Sequence, residues 1–385
     1  MPYPSEYPCY PGVAARINVV LNGDIDNYPL LRKNLEEERE LVAPQVTTDT
    51  KIIPLQIEKY LREGKNLGDA FRLAVNDFEG SHAVAMTCDL EPGKMFLALK
   101  GSGQSIYVGV DSGQYMFSSE LYGLVEVMPR FIKMNGDAVK GGVAGQIFVL
   151  DRNCEGLGGI SAFFYDGTPV ALTAEDLQTA EITTRDIDRS DYPHYFLKEI
   201  SAAALSIKKT LRGKYRLVKS DQFLRVIFNL GADIVPTAVK RGLQDGLIKN
   251  IVVIGHGTAA VAGQAVADAF ANYLQGAGLQ IMSRVASELS GFGLKDDLSD
   301  TIVIPITQSG TTTDTNRAVA MARNRDAWII SIVNRRQSDI TAKSQGVFYT
   351  SDGRDIEMSV ASTKAFYAQI VAGQLLALYF AQILG

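Results

Sequence analysis

Hydrophobic and polar positions follow different patterns in the two halves of the chain. In the first half, runs at 16–21, 82–88, 95–99 and 106–110 are typical of β-strands, and runs at 29–38, 53–63 and 67–78 carry apolar residues at helical spacing. The turn-forming stretch Glu91-Pro92-Gly93 separates two of the strands, as expected of an antiparallel layer. The first half is therefore predicted to be an α+β structure.

The second half alternates short apolar runs with helical stretches. Four of these runs are continuously apolar, at 251–254, 301–306, 327–333 and 347–350. Such strands are buried on both faces, so the pattern predicts a parallel sheet covered by helices on both sides, a flavodoxin-like α/β domain. In the helix after the first run, Ala262, Val266, Ala269 and Tyr273 fall on one face, which is predicted to be buried.

Two further helical segments mark the organisation of the chain. Residues 195–211 are predicted to form one helix, and residues 370–384 are apolar nearly all round. The latter segment is short for a membrane span and contains Gln374 and Gln382, so it is predicted to be a buried helix. We predict a partial first domain at 1–148, a connecting region with a helix at 149–215, and a second domain at 216–385.

Composition and charge narrow the classes of function. The chain has 385 residues, with 38 lysines and arginines against 43 aspartates and glutamates, a net charge of −5. This balance argues against nucleic-acid binding, which favours a basic face. The three cysteines are an odd number without a close pair, which predicts neither a disulfide framework nor a zinc site. We expect a cytoplasmic protein that uses no metal and no organic cofactor.

Candidate chemistry first appears at residues 307–314, between a predicted strand and a predicted helix. The start of a helix offers unpaired N–H groups and the positive end of the dipole, which favours an anion. Gly310 allows close approach, and the hydroxyls of Ser309, Thr311 and Thr312 can each donate to a phosphate oxygen. Because lysine is absent, the stretch is not a nucleotide P-loop, and a monophosphate ester fits better. The alternative is that these residues only cap a helix and form a turn.

Two other strand ends carry the same residue types. Gly257 and Thr258 follow the first strand, and a Ser-Val-Ala-Ser-Thr run occupies 359–363. The carboxyl ends of parallel strands share one edge of the sheet, where ligands bind. Three such turns therefore favour a ligand site over simple caps.

Three motifs of the second half resemble one known family. GHGTAA at 255–260, TQSGTTTDT at 307–315 and EMSVASTKAF at 357–366 are similar to the first sugar isomerase (SIS) domain of the isomerising glutamine–fructose-6-phosphate aminotransferases. The resemblance implies that one group of residues holds the sugar phosphate, namely Gly257, Thr258, Thr307, Gln308, Ser309 and Thr312. It implies that a second group contacts the sugar, namely Val360, Ala361 and Ser362. Ala259 stands where the family usually has a serine, so one phosphate contact is missing.

The first half resembles the later part of that family's class II glutamine amidotransferase domain, an Ntn-type αββα fold that is truncated in this chain. The resemblance implies that Asn22 and Gly23 form an oxyanion hole and that Asp49 binds the amino group of glutamine. The alternatives are a hairpin turn and a helix cap. The family's reaction needs an N-terminal cysteine, whereas this sequence begins Met1-Pro2 and Cys9 is internal. We expect the isolated chain to release no ammonia from glutamine.

Three functional interpretations remain open at this point. The first is a truncated or divergent aminotransferase that binds a hexose 6-phosphate, fructose 6-phosphate or glucosamine 6-phosphate, and pairs as a homodimer or with a second SIS domain. The second is a non-catalytic sugar-phosphate-binding or regulatory protein. The third is a simple sugar-phosphate isomerase, for which the sequence offers no identifiable base. The reading frame on either side of this sequence would separate the first two.

Overall fold

The computed structural model describes residues 17–38, 47–219, 223–359 and 362–385. The chain divides into two compact units, the first ending at Thr183 and the second beginning at Thr184. The predicted connecting region, 149–215, lies on both sides of this division. The strands between 149 and 179 belong to the first unit, and the α-helices between 184 and 211 belong to the second.

In its described residues, the first unit contains antiparallel strands and three α-helices. The strands are β1 Ile17–Gly23, β2 His82–Cys88, β3 Lys94–Lys100, β4 Tyr107–Asp111, β5 Gln114–Ser118, β6 Arg130–Lys133, β7 Val139–Lys140, β8 Val143–Ala144, β9 Gln146–Asp151, β10 Ile160–Phe164, β11 Pro169–Val170 and β12 Gln178–Thr179. The helices are α1 Tyr28–Glu37, α2 Ile52–Arg62 and α3 Leu67–Asp77.

Alternation along the central strands explains the layers of the first unit. The strand order is β1-β2-β3-β9-β10-β11 in one sheet and β12-β6-β4-β5 in another. In β2, Val84 and Met86 pack in the core formed with the three helices, whereas Ala83 and Ala85 pack in the core shared with the other sheet. The described residues thus form one helix layer on two sheets, which confirms the predicted α+β class. A second helix layer, as in a complete αββα fold, is not part of what the structure describes.

The second unit alternates strands with helices. Its helices are α4 Thr184–Ile187, α5 Tyr195–Ser201, α6 Ala203–Leu211, α7 Thr237–Gln244, α8 Thr258–Tyr273, α9 Ala286–Glu288, α10 Thr313–Arg323, α11 Asp339–Lys343 and α12 Lys364–Leu384. Its strands are β13 Tyr215–Lys219, β14 Leu224–Phe228, β15 Asn250–Gly255, β16 Gln280–Val285, β17 Thr301–Thr307, β18 Trp328–Val333 and β19 Gly346–Tyr349.

Five of these strands form the predicted parallel sheet, in the order β16-β15-β17-β18-β19. Ile251 and Val253 pack in a core with α8 and α12, while Val252 and Ile254 pack in a core with α10. The strand is therefore apolar at consecutive positions because helices cover both faces of the sheet. The flavodoxin-like α/β prediction is confirmed.

Two local expectations were wrong, and a third was confirmed. The predicted helix 195–211 is two helices, α5 and α6, separated at Ala202. In α8, the buried face runs through Ala262, Val266 and Phe270, whereas Tyr273, the last residue of the helix, is 42% exposed. By length and composition α12 could cross a membrane. It buries Ala372 and Phe380 completely, however, in agreement with the predicted buried helix.

Candidate functional site

The turn after β17 is built by hydrogen bonds among its own residues; we call residues 307–313 the QSGT turn. The buried Thr307 accepts a hydrogen bond at Oγ1 from the Gly310 N–H at 3.1 Å. The Ser309 hydroxyl accepts from the Thr311 N–H at 3.3 Å and from the Thr311 hydroxyl at 3.0 Å. Gly310 adopts a φ of 71°, a conformation that favours glycine. These bonds hold the turn in one shape.

Neighbouring segments fix the QSGT turn from outside. Asn316 in α10 donates through Nδ2 to the carbonyls of Gly310 at 3.1 Å and Thr312 at 3.2 Å. The Ile340 N–H also donates to the Gly310 carbonyl, at 3.1 Å. These donors occupy the carbonyls of Gly310 and Thr312. The side chains of the turn are therefore the groups that remain available to a ligand. Thr312, at the N-cap of α10, makes no capping bond with its side chain.

Two polar atoms of this region are buried without a hydrogen-bond partner in the structure. They are the Gln308 amide nitrogen and the Thr315 hydroxyl in the first turn of α10. A buried donor without an acceptor is costly, by about 1–3 kcal/mol. An anion bound at the turn would supply acceptor oxygens, so these unsatisfied donors are the chemistry expected of an anion site.

The turn after β15 lies beside the QSGT turn. Strands β15 and β17 are neighbours in the sheet. The His256 Nδ1 lies 3.6 Å from the Asp314 carboxylate in the first turn of α10. Gly257 is the N-cap of α8 with a φ of 56°, and Thr258 begins that helix at an exposed position. The structure thus brings Gly257 and Thr258 next to the other predicted phosphate-binding residues.

Residues directly after β18 connect the QSGT turn to the loop that contains Ser362. The Arg335 N–H donates to the Gln308 carbonyl at 3.2 Å. The buried Asn334 donates through Nδ2 to the Asp355 carbonyl at 2.8 Å. Ser362 is half-buried, with its hydroxyl 3.4 Å from the Glu357 carboxylate. Val360 and Ala361, the other predicted sugar contacts, lie outside the described residues.

A buried ion pair closes the base of this loop. The Lys364 ammonium, 2% exposed, lies 2.5 Å from an Asp355 carboxylate oxygen. Burial acts to raise the pKa of Asp355, but the charge and hydrogen bond of Lys364 outweigh it and hold that pKa below its usual value. Asp355 is therefore charged at neutral pH. Sequence periodicity missed this pair because lysine and aspartate are usually read as exposed.

In the first unit, the predicted amidotransferase residues lie at one end of β1. Asn22 is exposed, and Gly23 has a φ of 112°. A Cβ on Gly23 would lie 2.3 Å from the Ser81 carbonyl oxygen, so the close approach of these backbones requires glycine. Asp49 accepts at Oδ2 from the Ile25 N–H at 3.2 Å, which places the carboxylate near the end of β1, where Asn22 and Gly23 lie. The three predicted residues therefore lie close together.

The described cysteines lie at the other end of this sheet. Cys88 pairs with Ile17 in the register of β1 and β2, whereas Asn22 pairs with Ala83. Five residues of strand separate the two positions, roughly 17 Å. Burial raises the pKa of the Cys88 thiol. Cys154 follows Asp151, which pairs with Lys94 at that same far end. Neither is placed to attack a substrate at Asn22; Cys9 lies outside the described residues.

No group of three or more histidine, cysteine, aspartate or glutamate residues that could hold a metal occurs in the described part of the chain. The candidate sites at the carboxyl edge of the parallel sheet and at the end of β1 consist of hydroxyl, amide, carboxylate and backbone groups. The polar side chains that hold these segments in place and that the sequence did not indicate are Asn316, Asn334 and Asp355. Each is a polar side chain whose partners are brought close only by the fold.

Comparisons with known proteins match both units. Residues 248–379 match the SIS domain family, and residues 8–126 match a glutamine amidotransferase domain family. Glutamine–fructose-6-phosphate aminotransferase (isomerizing) from Sulfolobus acidocaldarius is 27% identical over 371 residues, covering 96% of this chain and 55% of the relative. The protein of the same name from Streptomyces coelicolor is 29% identical over 374 residues, covering 97% of this chain and 54% of the relative.

Among solved structures, the C-terminal domain of glucosamine-fructose-6-phosphate aminotransferase from Francisella tularensis is similar to this chain. The match covers 51% of this chain and 50% of that structure's chain. Its sequence identity is 24% and its TM-score is 0.41. The chain spans about half the length of the curated relatives it matches. The chain thus matches a glutamine amidotransferase domain followed by a SIS domain, and along nearly its whole length it is similar to the isomerising glutamine–fructose-6-phosphate aminotransferases.

Proposed function

We propose that the second unit binds a hexose 6-phosphate at the carboxyl edge of its parallel sheet, as the sugar-phosphate-binding part of an isomerising glutamine–fructose-6-phosphate aminotransferase. That reaction uses glutamine and fructose 6-phosphate and forms glucosamine 6-phosphate, a precursor for amino-sugar synthesis. The observation that carries the proposal is the QSGT turn. It combines a buried, unsatisfied Gln308 amide donor with hydroxyls at the start of an eleven-residue helix.

The phosphate is proposed to lie against the QSGT turn. Ser309 and Thr312 donate from their hydroxyls, and Gln308 donates from its amide nitrogen. Thr307 has a different role, because its hydroxyl oxygen accepts the Gly310 N–H and shapes the turn from within. Thr258, after Gly257 on the neighbouring strand end, completes the phosphate contacts. The dipole of α10 adds to the attraction for the dianion.

The sugar is proposed to extend from the phosphate toward the loop that carries Val360, Ala361 and Ser362. Hydrogen bonds after β18 join this loop to the QSGT turn, which supports one continuous site. Its residues bind and orient the sugar; no proton transfer is assigned to them.

The first unit is proposed to retain the shape of a glutamine site. Asn22 and Gly23 would stabilise an oxyanion, and Asp49 would bind the amino group of glutamine. The hydrogen bond that Asp49 accepts from the Ile25 N–H, two residues after Gly23, supports this proposal. Whether glutamine binds is decided by titration of the chain with glutamine, for which saturable heat is the supporting result.

A homodimer, or a second SIS domain beside this one, is proposed as the partner of the second unit, in the cytoplasm. An apolar groove of about 460 Å³ supports this proposal; it is lined by Leu211, Tyr215, Val226, Phe228, Leu375 and Leu378. Analytical ultracentrifugation tests it. A single monomeric species at all concentrations would contradict the homodimer.

A second candidate function is a protein that holds the sugar phosphate without reacting. Among the described cysteines, Cys88 and Cys154 lie at the far end of the sheet from Asn22, so neither is placed to release ammonia from glutamine there, which favours this candidate. The two candidates differ in product. Glucosamine 6-phosphate formed from fructose 6-phosphate and ammonium would support the enzyme, whereas binding without product would support the binding protein.

Thermal unfolding tests the binding proposal. A ligand present at about 100 times its dissociation constant stabilises the folded state by about 2.7 kcal/mol, or roughly 5–11 °C for a unit of this size. We expect glucosamine 6-phosphate or fructose 6-phosphate to raise the melting temperature of the second unit. Ser309→Ala combined with Thr312→Ala should abolish the increase without unfolding the unit. The matched control Thr237→Ala, which removes an exposed hydroxyl at the start of α7, should leave it unchanged. Wild type without any increase at millimolar ligand would contradict the proposal.

A further inference from the structure

Helix α5 buries a single residue, and that residue is a glutamate. Glu199 is 1% exposed, whereas Phe196 is 51% exposed and Ile200 is 44% exposed on the same helix. Helices normally bury their apolar residues and expose glutamate, because a carboxylate loses its hydration when it is buried. The inverted pattern indicates that specific hydrogen bonds hold the Glu199 carboxylate inside the protein.

These hydrogen bonds come from the loop that carries Ser362. Oε1 of Glu199 accepts from the Met358 N–H at 2.6 Å and from the Ser359 N–H at 3.3 Å. Oε2 lies 3.4 Å from the Thr363 hydroxyl. Glu199 thus contacts the loop at both of its ends, from a helix about 160 residues earlier in the chain. Charged acceptors make the stronger class of hydrogen bond, so the contact is a firm one.

A second buried carboxylate completes the arrangement. Glu357, 5% exposed, accepts at Oε1 from the N–H groups of Thr363 and Ala365, each at 2.9 Å. The same oxygen accepts the Thr363 hydroxyl at 2.8 Å. Thr363 therefore lies between the two carboxylates, directly after Ser362. The two glutamates together set where the loop begins and where it ends.

We propose that Glu199 is a positioning residue for the sugar end of the site. Its carboxylate holds the loop so that Ser362 faces the sugar, while the phosphate contacts at the QSGT turn form independently of it. This inference rests on the proposed function. It gives helix α5, which precedes the SIS match at 248–379, a role in shaping the binding site. Glu199 acts through the loop and does not contact the ligand itself.

The experiment compares two ligands on one variant. Glu199→Gln keeps the size of the side chain and replaces one acceptor oxygen by an NH₂ group. We expect the affinity for glucosamine 6-phosphate to fall by about tenfold or more, which corresponds to the loss of one charge-assisted hydrogen bond. The affinity for inorganic phosphate should stay within about twofold of wild type, since the QSGT turn is untouched. Titration calorimetry measures both affinities.

A matched control and a second variant keep the test decisive. Asp268→Asn neutralises an exposed carboxylate on α8 and should leave both affinities unchanged. If Glu199→Gln does not fold, Thr363→Val keeps the shape of the loop residue and removes the hydroxyl that joins the carboxylates. It should give the same split between the two ligands.

Each outcome separates this inference from the proposed function. An equal loss for both ligands would show a general structural role and would overturn the positioning role. An unchanged affinity for the sugar phosphate in Glu199→Gln would overturn it as well. Wild type that binds phosphate but no sugar phosphate would instead contradict the proposed function.

Discussion

Replacing Gly310 by alanine perturbs the QSGT turn at the point where its geometry is most restricted. An L-residue with the φ of 71° found here loses about 1–2 kcal/mol relative to glycine. The new Cβ would also lie 2.1 Å from the Ser338 hydroxyl oxygen and 2.6 Å from the Ser338 Cβ. Relieving such an overlap costs typically about 1–3 kcal/mol. We expect Gly310→Ala to lower the unfolding free energy of the second unit by about 2–5 kcal/mol.

Two companion variants separate the contributions. Gly246 has a φ of 67° with only the Lys249 ammonium within 4 Å, at 3.8 Å, so Gly246→Ala should show the conformational cost alone, about 1–2 kcal/mol. Ser338→Gly removes both overlapping atoms, so Gly310→Ala combined with Ser338→Gly should lose less stability than the sum of the single changes. Ser338 cannot simply turn away, because its hydroxyl donates to the Arg335 carbonyl at 2.9 Å.

Urea denaturation of wild type, the three single variants and the double variant supplies the measurement. Strict additivity of Gly310→Ala and Ser338→Gly would refute the overlap. A loss below about 0.5 kcal/mol in Gly310→Ala would refute the turn geometry altogether, since even the conformational cost exceeds it.

Two further predictions concern buried charged or titratable groups. Asp355→Asn leaves the Lys364 ammonium buried without its counter-charge and should lower the unfolding free energy by about 3–5 kcal/mol. Combining it with Lys364→Met should recover much of this loss, measured by urea denaturation. An equally unstable double variant would contradict the pairing. Burial and the nearby Lys100 lower the pKa of His82 to about 4, so the neutral ring contributes stability above pH 6.5 that is lost as the pH falls toward 4. Wild type should lose about 3 kcal/mol more over that range than His82→Gln; parallel pH profiles would contradict this.

Sequence patterns predicted the parallel sheet because a strand that is buried on both faces is apolar at every position, which is visible as a continuous apolar run. The edge strand β16 has no continuous apolar run: its residues, Gln-Ile-Met-Ser-Arg-Val, are partly polar and none of them is buried. The hairpin of β13 and β14 was missed for the same reason, since its side chains are exposed or half-buried.

The candidate site divides in a similar way. Residues of the QSGT turn are contiguous in sequence, so their residue types and the glycine predict an anion site without knowledge of the fold, and this stays a prediction. Glu199 could not be found in that manner, because its partners are about 160 residues away and a glutamate on a short helix is normally exposed. Lys364 and Asp355 were missed because their burial depends on each other.

A crystal structure of the chain with glucosamine 6-phosphate tests the central claim most directly. We predict the phosphate group within hydrogen-bonding distance of the Ser309 and Thr312 hydroxyls and of the Gln308 amide nitrogen, with the sugar directed toward Ser362. A phosphate bound elsewhere, or an empty QSGT turn at saturating ligand, would contradict the claim.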